Sequence, residues 1–254
     1  MPASDEWISP APAQDASGPA EPVTPAAASP AVIDFAARSA RAGGLLIDMD
    51  GTLVNSEPAN QAAYRALYAA HGWHLDEAVL PLFTGRTSRD SFRDIPGPWH
   101  AEGLDIDALI IEVNSLVDMR AYPPVPIRGA AQFVRLFERA CVVTSAMREW
   151  AREGVELAGL SWDGLHLVSA EDVSRGKPHP EPYVRGAQVA GVDPASCLVV
   201  EDTPAGVRSA LAAGVGMVLG VTTGYRDAAL LEAGAHATMP DFTALHDALR
   251  PVIA

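Results

Sequence analysis

Short apolar runs recur along the chain at Leu45 to Ile47, Cys141 to Val143, Leu165 to Val168, Leu198 to Val200 and Val215 to Val221. Runs of this length, closed by polar or glycine residues, predict buried strands rather than helices. Segments with helical spacing fall between the last four, near Ala130 to Arg139, Met147 to Ala158, Pro182 to Ala190 and Ala205 to Ala213. Strands alternating with helices in this way predict an α/β fold, a parallel sheet covered on both faces.

The first and second runs are separated by roughly ninety residues, far more than a simple crossover needs. An inserted unit is therefore expected over residues 57–126. It reads as mainly helical, from Ala59 to Ala70 and from Ile106 to Met119, and Pro123, Pro124 and Pro126 stiffen its return. The core would then comprise 43–56 and 127–254. Residues 1–42, rich in Pro, Ala and Ser, are expected to form a disordered leader. Its tail, Val32 to Arg41, carries Val32, Ile33 and Phe35 and gives a weak signal for a short helix against the body. On this reading, deletion of residues 1–40 would leave activity nearly unchanged.

Composition narrows the function. With 18 Lys+Arg against 32 Asp+Glu the formal charge is −14, which disfavours binding to a nucleic-acid backbone. No uninterrupted apolar segment has the length of a membrane span, and the N-terminus lacks the basic start and apolar stretch of a signal peptide. The two cysteines, Cys141 and Cys197, sit in or beside apolar runs and read as small buried thiols. A cytoplasmic protein is expected, a monomer or small homo-oligomer acting on a small molecule.

The chemistry concentrates where strands end. The first run is followed by Asp48, Met49, Asp50, Gly51 and Thr52, and carboxylates at i and i+2 share one strand face about 6.6 Å apart. A solvated turn or a calcium loop would accept the same residues. The second run ends in Thr144 and Ser145, an anion-binding corner or a plain helix cap. Lys177 stands between Gly176 and Pro178, either a rigidly placed ammonium or a solvated loop residue. His179 beside it is given no role. The fourth run ends in Glu201 and Asp202, which would be costly to cluster with Asp48 and Asp50 unless a hard cation such as magnesium neutralised them.

Taken together, DMDGT, VVTS, GKPHPEPY and VEDTPAG resemble the four motifs of the haloacid dehalogenase superfamily, over about Gly44 to Gly224. The resemblance implies a Rossmann-like parallel-sheet core with an inserted α-helical cap. It implies that Asp48 is the nucleophile that becomes an aspartyl phosphate and that Asp50 is the acid and base. Ser145, or Thr144 one position earlier, would bind the phosphoryl group. Lys177 would bridge nucleophile and phosphate. Mg2+ would be held by Asp48, the Asp50 carbonyl and Asp202, with Glu201 binding directly or through a water. Asp50 argues against a dehalogenase, whose members lack this acid. Asn55 stands where the motif often has Asp.

Substrate choice in that superfamily lies with the cap, where Arg86 matches a basic position in the specificity loop of related sugar phosphatases; an exposed loop arginine is the plainer alternative. Arg89 and Arg93 read as surface charges pairing with Asp90 and Asp94. The motifs most resemble those of sugar and polyol phosphate phosphatases. A β-phosphoglucomutase is the second reading, but that family has a cap histidine where this chain has Asn60, which favours hydrolysis. Phosphoglycolate phosphatase and a non-catalytic sugar-phosphate sensor are further alternatives, the last disfavoured because Asp48, Asp50, Lys177 and Asp202 are all present.

Overall fold

The computed structural model describes residues 28–83 and 88–253. Six parallel strands form the sheet: β1 (Gly44–Ile47), β4 (Ala140–Val143), β5 (Leu165–Val168), β6 (Cys197–Glu201), β7 (Met217–Val221) and β8 (Ala237–Met239). Their spatial order is β5-β4-β1-β6-β7-β8. The chain runs outward from β1 to one edge, returns to β6, and then builds the other half. The order therefore reverses at β1, and the crevice beyond its carboxyl end is where open α/β sheets bind ligands.

Alternate residues of each strand feed two cores. Leu45, Ile47, Val142, Leu198, Val200 and Leu219 face one layer with Phe133 and Val155. Leu46, Cys141, Val143, Val199 and Val218 face the other with Tyr183, Ala187 and Val207. The first layer includes α1 (Pro30–Ala42), α6 (Ala130–Val134), α7 (Arg148–Leu157) and α11 (Thr243–Ile253), and the second α8 (Glu181–Ala190), α9 (Pro204–Ala212) and α10 (Asp227–Glu232). Both cysteines are buried as free thiols, and burial pushes each up to about 12, so they act as core residues.

Helix α1 corrects the expected leader boundary. Its sequence has low average hydropathy, but Val32, Ala36 and Ala40 recur at helical spacing with Ala37 beside them, and all are buried. Small side chains let this helix approach α11 and the strand layer closely. Ser39 is buried as well and donates to the Ser196 carbonyl at 2.9 Å. Residues 1–27 of the expected leader lie outside the described residues. Deleting 1–40 removes a built face of the core, so the truncated protein should be less stable by about 3 kcal/mol or more. A denaturant melt of the two forms checks this, and equal midpoints would refute it.

Between β1 and β4 lie α2 (Glu57–Ala70), α3 (Ser88–Asp94), α4 (Pro98–Glu102) and α5 (Ile106–Ser115). Tyr64, Leu67, Phe92, Trp99, Leu109 and Val113 give these helices an apolar cluster of their own. The chain leaves and returns through β2 (Val54–Asn55) and β3 (Val125–Pro126), which pair antiparallel. The Asn55 side chain accepts from the Glu57 amide at 3.2 Å, a polar contact at this hinge.

Candidate active site

Parallel pairing carries the site residues to one edge of the sheet. The Asp48 amide donates to the Val200 carbonyl, which places Asp48 just past β1 and beside the end of β6. Gly51 then turns the chain with φ +79°, and a Cβ there would lie 1.9 Å from Asp202 Oδ2. Only glycine satisfies both the left-handed backbone and this approach. The turn thus brings the loop after β1 against the acid that follows β6.

Lys177 is the hub. Its ammonium donates to Asp48 Oδ1 at 2.5 Å, Glu201 Oε1 at 2.5 Å and the Val143 carbonyl at 2.9 Å, using all three of its donors. The residue is only 8% exposed, which rules out the solvated-loop alternative. Burial alone would drive its pKa down, but Asp48 and Glu201 outweigh that and raise it, so the ammonium stays charged.

Glu201 is fully enclosed. Its Oε1 also accepts from the Tyr183 hydroxyl at 2.8 Å, and its Oε2 accepts from the Asp202 amide and from the Thr203 amide and hydroxyl. A carboxylate has about four lone-pair sites, and protein donors engage them all. Gly206 makes room for it, since a Cβ there would fall 1.8 Å from the carboxylate. Its present work is therefore to hold Lys177 and the turn into α9.

The carboxylates outnumber the cations. Oxygens of Asp48, Glu201 and Asp202 lie within 4.8 Å of one another, and Lys177 is their one paired cation among the described residues. Burial raises Asp48 to about 7 despite Lys177, with Glu201 and Asp50 adding to the rise. Burial and then the charge of Asp48 push Asp202 well above the usual carboxylate range. Asp202 Oδ1 is buried with no hydrogen-bond partner among the described residues. An orphaned carboxylate oxygen, excess negative charge and all-oxygen donors fit a hard divalent cation.

Asp50 is set apart from this cluster. Its carboxylate is partly exposed, and its Oδ1 accepts from the Ser56 hydroxyl and from Trp150 Nε1. Burial raises its pKa, against the opposing pull of these two donors. Thr144 is buried; its hydroxyl accepts from the Ala146 amide at 3.0 Å. Ser145 is exposed and makes no side-chain hydrogen bond among the described residues. Neither caps α7, whose cap position is Met147.

Arg86 lies outside the described residues, so the structure does not bring it to the cluster or exclude it. Arg93 pairs with Asp94, and Arg89 pairs with Asp107. His179 accepts from the Glu181 amide at the start of α8, a local structural contact. Three contributors receive no role from the sequence: Ser56, Trp150 and Tyr183. Tyr183 alone had a sequence signal available, since it ends the GKPHPEPY stretch.

The central strand of a doubly wound sheet ends in a lysine-paired carboxylate, and a helical insert follows that strand. The family model described as haloacid dehalogenase-like hydrolase matches residues 43–214. The chain belongs to the haloacid dehalogenase-like hydrolases and is an enzyme of that family. Among curated relatives, validoxylamine A 7'-phosphate phosphatase of Streptomyces hygroscopicus subsp. limoneus is 36% identical, over 74% of this chain and 89% of its own length. Hexitol phosphatase A of Escherichia coli is 35% identical, over 68% of this chain and 81% of its own. A hydrolase from Pseudomonas syringae has the same fold at a TM-score of 0.71 and 21% identity, covering 83% of this chain and 99% of that one. No described helix is long and apolar enough to cross a membrane.

Proposed function

We propose that this protein is a magnesium-dependent phosphatase that hydrolyses a small sugar or polyol phosphate through an aspartyl phosphate on Asp48. The observation that carries the reading is the state of Asp48 itself, buried at the end of the central strand with Lys177 on one oxygen. The named phosphatase relatives support the reaction class, and the hexitol in one of those names supports a polyol phosphate as substrate.

The residues divide the work as follows. Asp48 attacks phosphorus, and the bond to the ester oxygen breaks as the new one forms. Asp50 gives its proton to the departing alcohol oxygen and then takes one from the water that attacks the aspartyl phosphate. That second displacement breaks the Asp48–phosphorus bond and releases inorganic phosphate. Ser145 donates to the phosphoryl oxygens, and Lys177 offsets charge on them while orienting Asp48. Thr144 Oγ1 accepts from the Ala146 amide and keeps its own O–H to donate, so it is the alternative to Ser145 for this contact. Asp48, Asp202 and the Asp50 carbonyl would hold magnesium, which when bound would supply positive charge against the repulsion between carboxylate and phosphate. Glu201 serves through Lys177, since protein donors already engage both of its oxygens. Arg86 is the candidate for substrate selection. Asn60, in place of a cap histidine, favours release of phosphate over its return to a sugar.

The test is magnesium-dependent phosphate release from a panel of sugar, polyol and glycolate phosphates. Release from a sugar or polyol phosphate is expected. Release from none would overturn the proposal, and isomerisation without phosphate release would replace it with a mutase. Asp50→Asn should lower kcat by about 10²–10⁴-fold, the usual contribution of a positioned acid and base; an unchanged kcat would remove Asp50 from that role.

Magnesium should also stabilise the fold in a pH-dependent way. Asp48 rises from 3.8 to about 7 on folding. Between those values the native state keeps a proton that the unfolded state has lost, so without the ion this group's contribution falls as pH climbs through that window and levels off above it. A cation that binds the deprotonated acids counters the loss. Saturating Mg2+ should therefore raise Tm by about 5 °C or more above pH 7 and by much less near pH 5. A shift independent of pH, or none, would contradict the ligand assignment.

A further inference from the structure

Asp50 must offer one oxygen to the substrate twice, first with a proton and then without one. Two side-chain hydrogen bonds, from Ser56 and Trp150, fall on the other oxygen, Oδ1. One comes from Ser56 at the foot of the helical insert. The second comes from the indole Nε1 of Trp150, at 3.1 Å across 100 residues of sequence. Trp150 sits on the third residue of α7, a core helix, partly exposed with its ring against the first apolar layer. Helix α7 is already seated by Ala151, Gly154 and Val155, all buried. The indole N–H is thus turned toward the loop after β1.

An indole N–H can only donate. It therefore makes Oδ1 a permanent acceptor and leaves Oδ2 to carry the proton. The Ser56 hydroxyl could not enforce this alone, because it can both donate and accept, and because it sits where the insert joins the core. We propose that Trp150 is a positioning residue that holds the Asp50 carboxylate, independently of the insert, so that Oδ2 faces the leaving oxygen. This rests on the acid and base role given to Asp50 above.

The test uses Trp150→Phe, which keeps an aromatic ring and deletes the donor. The value of kcat/KM reports the first phosphoryl transfer, in which a sugar or polyol leaving group needs the proton from Asp50 and a p-nitrophenyl group does not. The variant should lose about tenfold in kcat/KM on a sugar or polyol phosphate, the usual cost of one hydrogen bond to a charged group, and less than about threefold on p-nitrophenyl phosphate. Trp150→His, which keeps a ring N–H, should recover part of the loss. Should the Phe variant not fold, Trp150→Met is read in the same way. Equal losses on both esters, or none on either, overturn the positioning role and leave the phosphatase reading standing. A wild-type enzyme that releases phosphate from neither ester overturns both.

Discussion

Asp48→Asn should abolish turnover, by at least about 10⁴-fold in kcat, while folding as well as the parent. The amide keeps the shape of the side chain and an oxygen for Lys177, but it is a poor nucleophile toward phosphorus and a weak ligand for a hard cation. Stability should hold because the charge being removed is costly where it stands: burial and neighbouring acids have raised Asp48 to about 7. The melt of the variant without magnesium should match or exceed that of the parent, and its response to magnesium should shrink. Phosphate release within tenfold of the parent would end the nucleophile assignment.

Lys177→Met should be damaging in a different way, to the fold and the chemistry together. Removal of the ammonium leaves Asp48 Oδ1, Glu201 Oε1 and the Val143 carbonyl without their shared donor. Breaking a buried ion pair by deleting one partner costs about 3–5 kcal/mol, which for a chain of this size is a fall of roughly 10 °C in Tm. Asp48, already raised by burial, would recover part of that by taking up a proton, so the loss should be largest at alkaline pH and smaller in mild acid. Activity should fall by about 10³-fold even where the variant is folded, since charge on the phosphoryl oxygens loses its fixed counter-charge. Lys177→Arg should not rescue it, because a planar guanidinium cannot point three donors along the tetrahedral directions that these acceptors occupy. Thermal melts with phosphate-release assays across pH check both parts. A variant that melts like the parent at all pH values would show that Lys177 is not the electrostatic centre described.

The contrast between these two residues shows what the sequence could disclose. The strands were legible because short Val- and Leu-rich runs have few other ways to be buried, and β5 matches its predicted span of Leu165–Val168 residue for residue. Because strand ends gather at one edge of a parallel sheet, Asp48, Glu201 and Asp202 could be grouped before any contact was known, and the family resemblance added Lys177. What composition concealed was α1: averaged over residues 1–42, its buried stripe of Val32, Ala36 and Ala40 is diluted by its surroundings. The division of roles among the acids was also hidden. Glu201 and Asp202 are adjacent and chemically alike, yet one has every oxygen engaged and the other has an orphaned Oδ1. That difference depends on Tyr183, on the Thr203 turn and on the space that Gly206 leaves, contacts that only the folded chain specifies. Trp150 was invisible for the same reason, because an aromatic residue at the start of an amphipathic helix reads as packing until its N–H is seen on Asp50.

The central claim is that a phosphoryl group passes through Asp48. The most direct measurement mixes Asp50→Asn with p-nitrophenyl phosphate radiolabelled in its phosphoryl group, quenches in acid during the first turnover, and maps the protein-bound label after proteolysis. This leaving group departs without help from Asp50, whereas attack of water on the intermediate needs it, so the intermediate accumulates. The expected result is label on the peptide containing Asp48, stable in acid and released by hydroxylamine. Phosphate released with no labelled protein at any quench time, or label on another residue, would contradict the account.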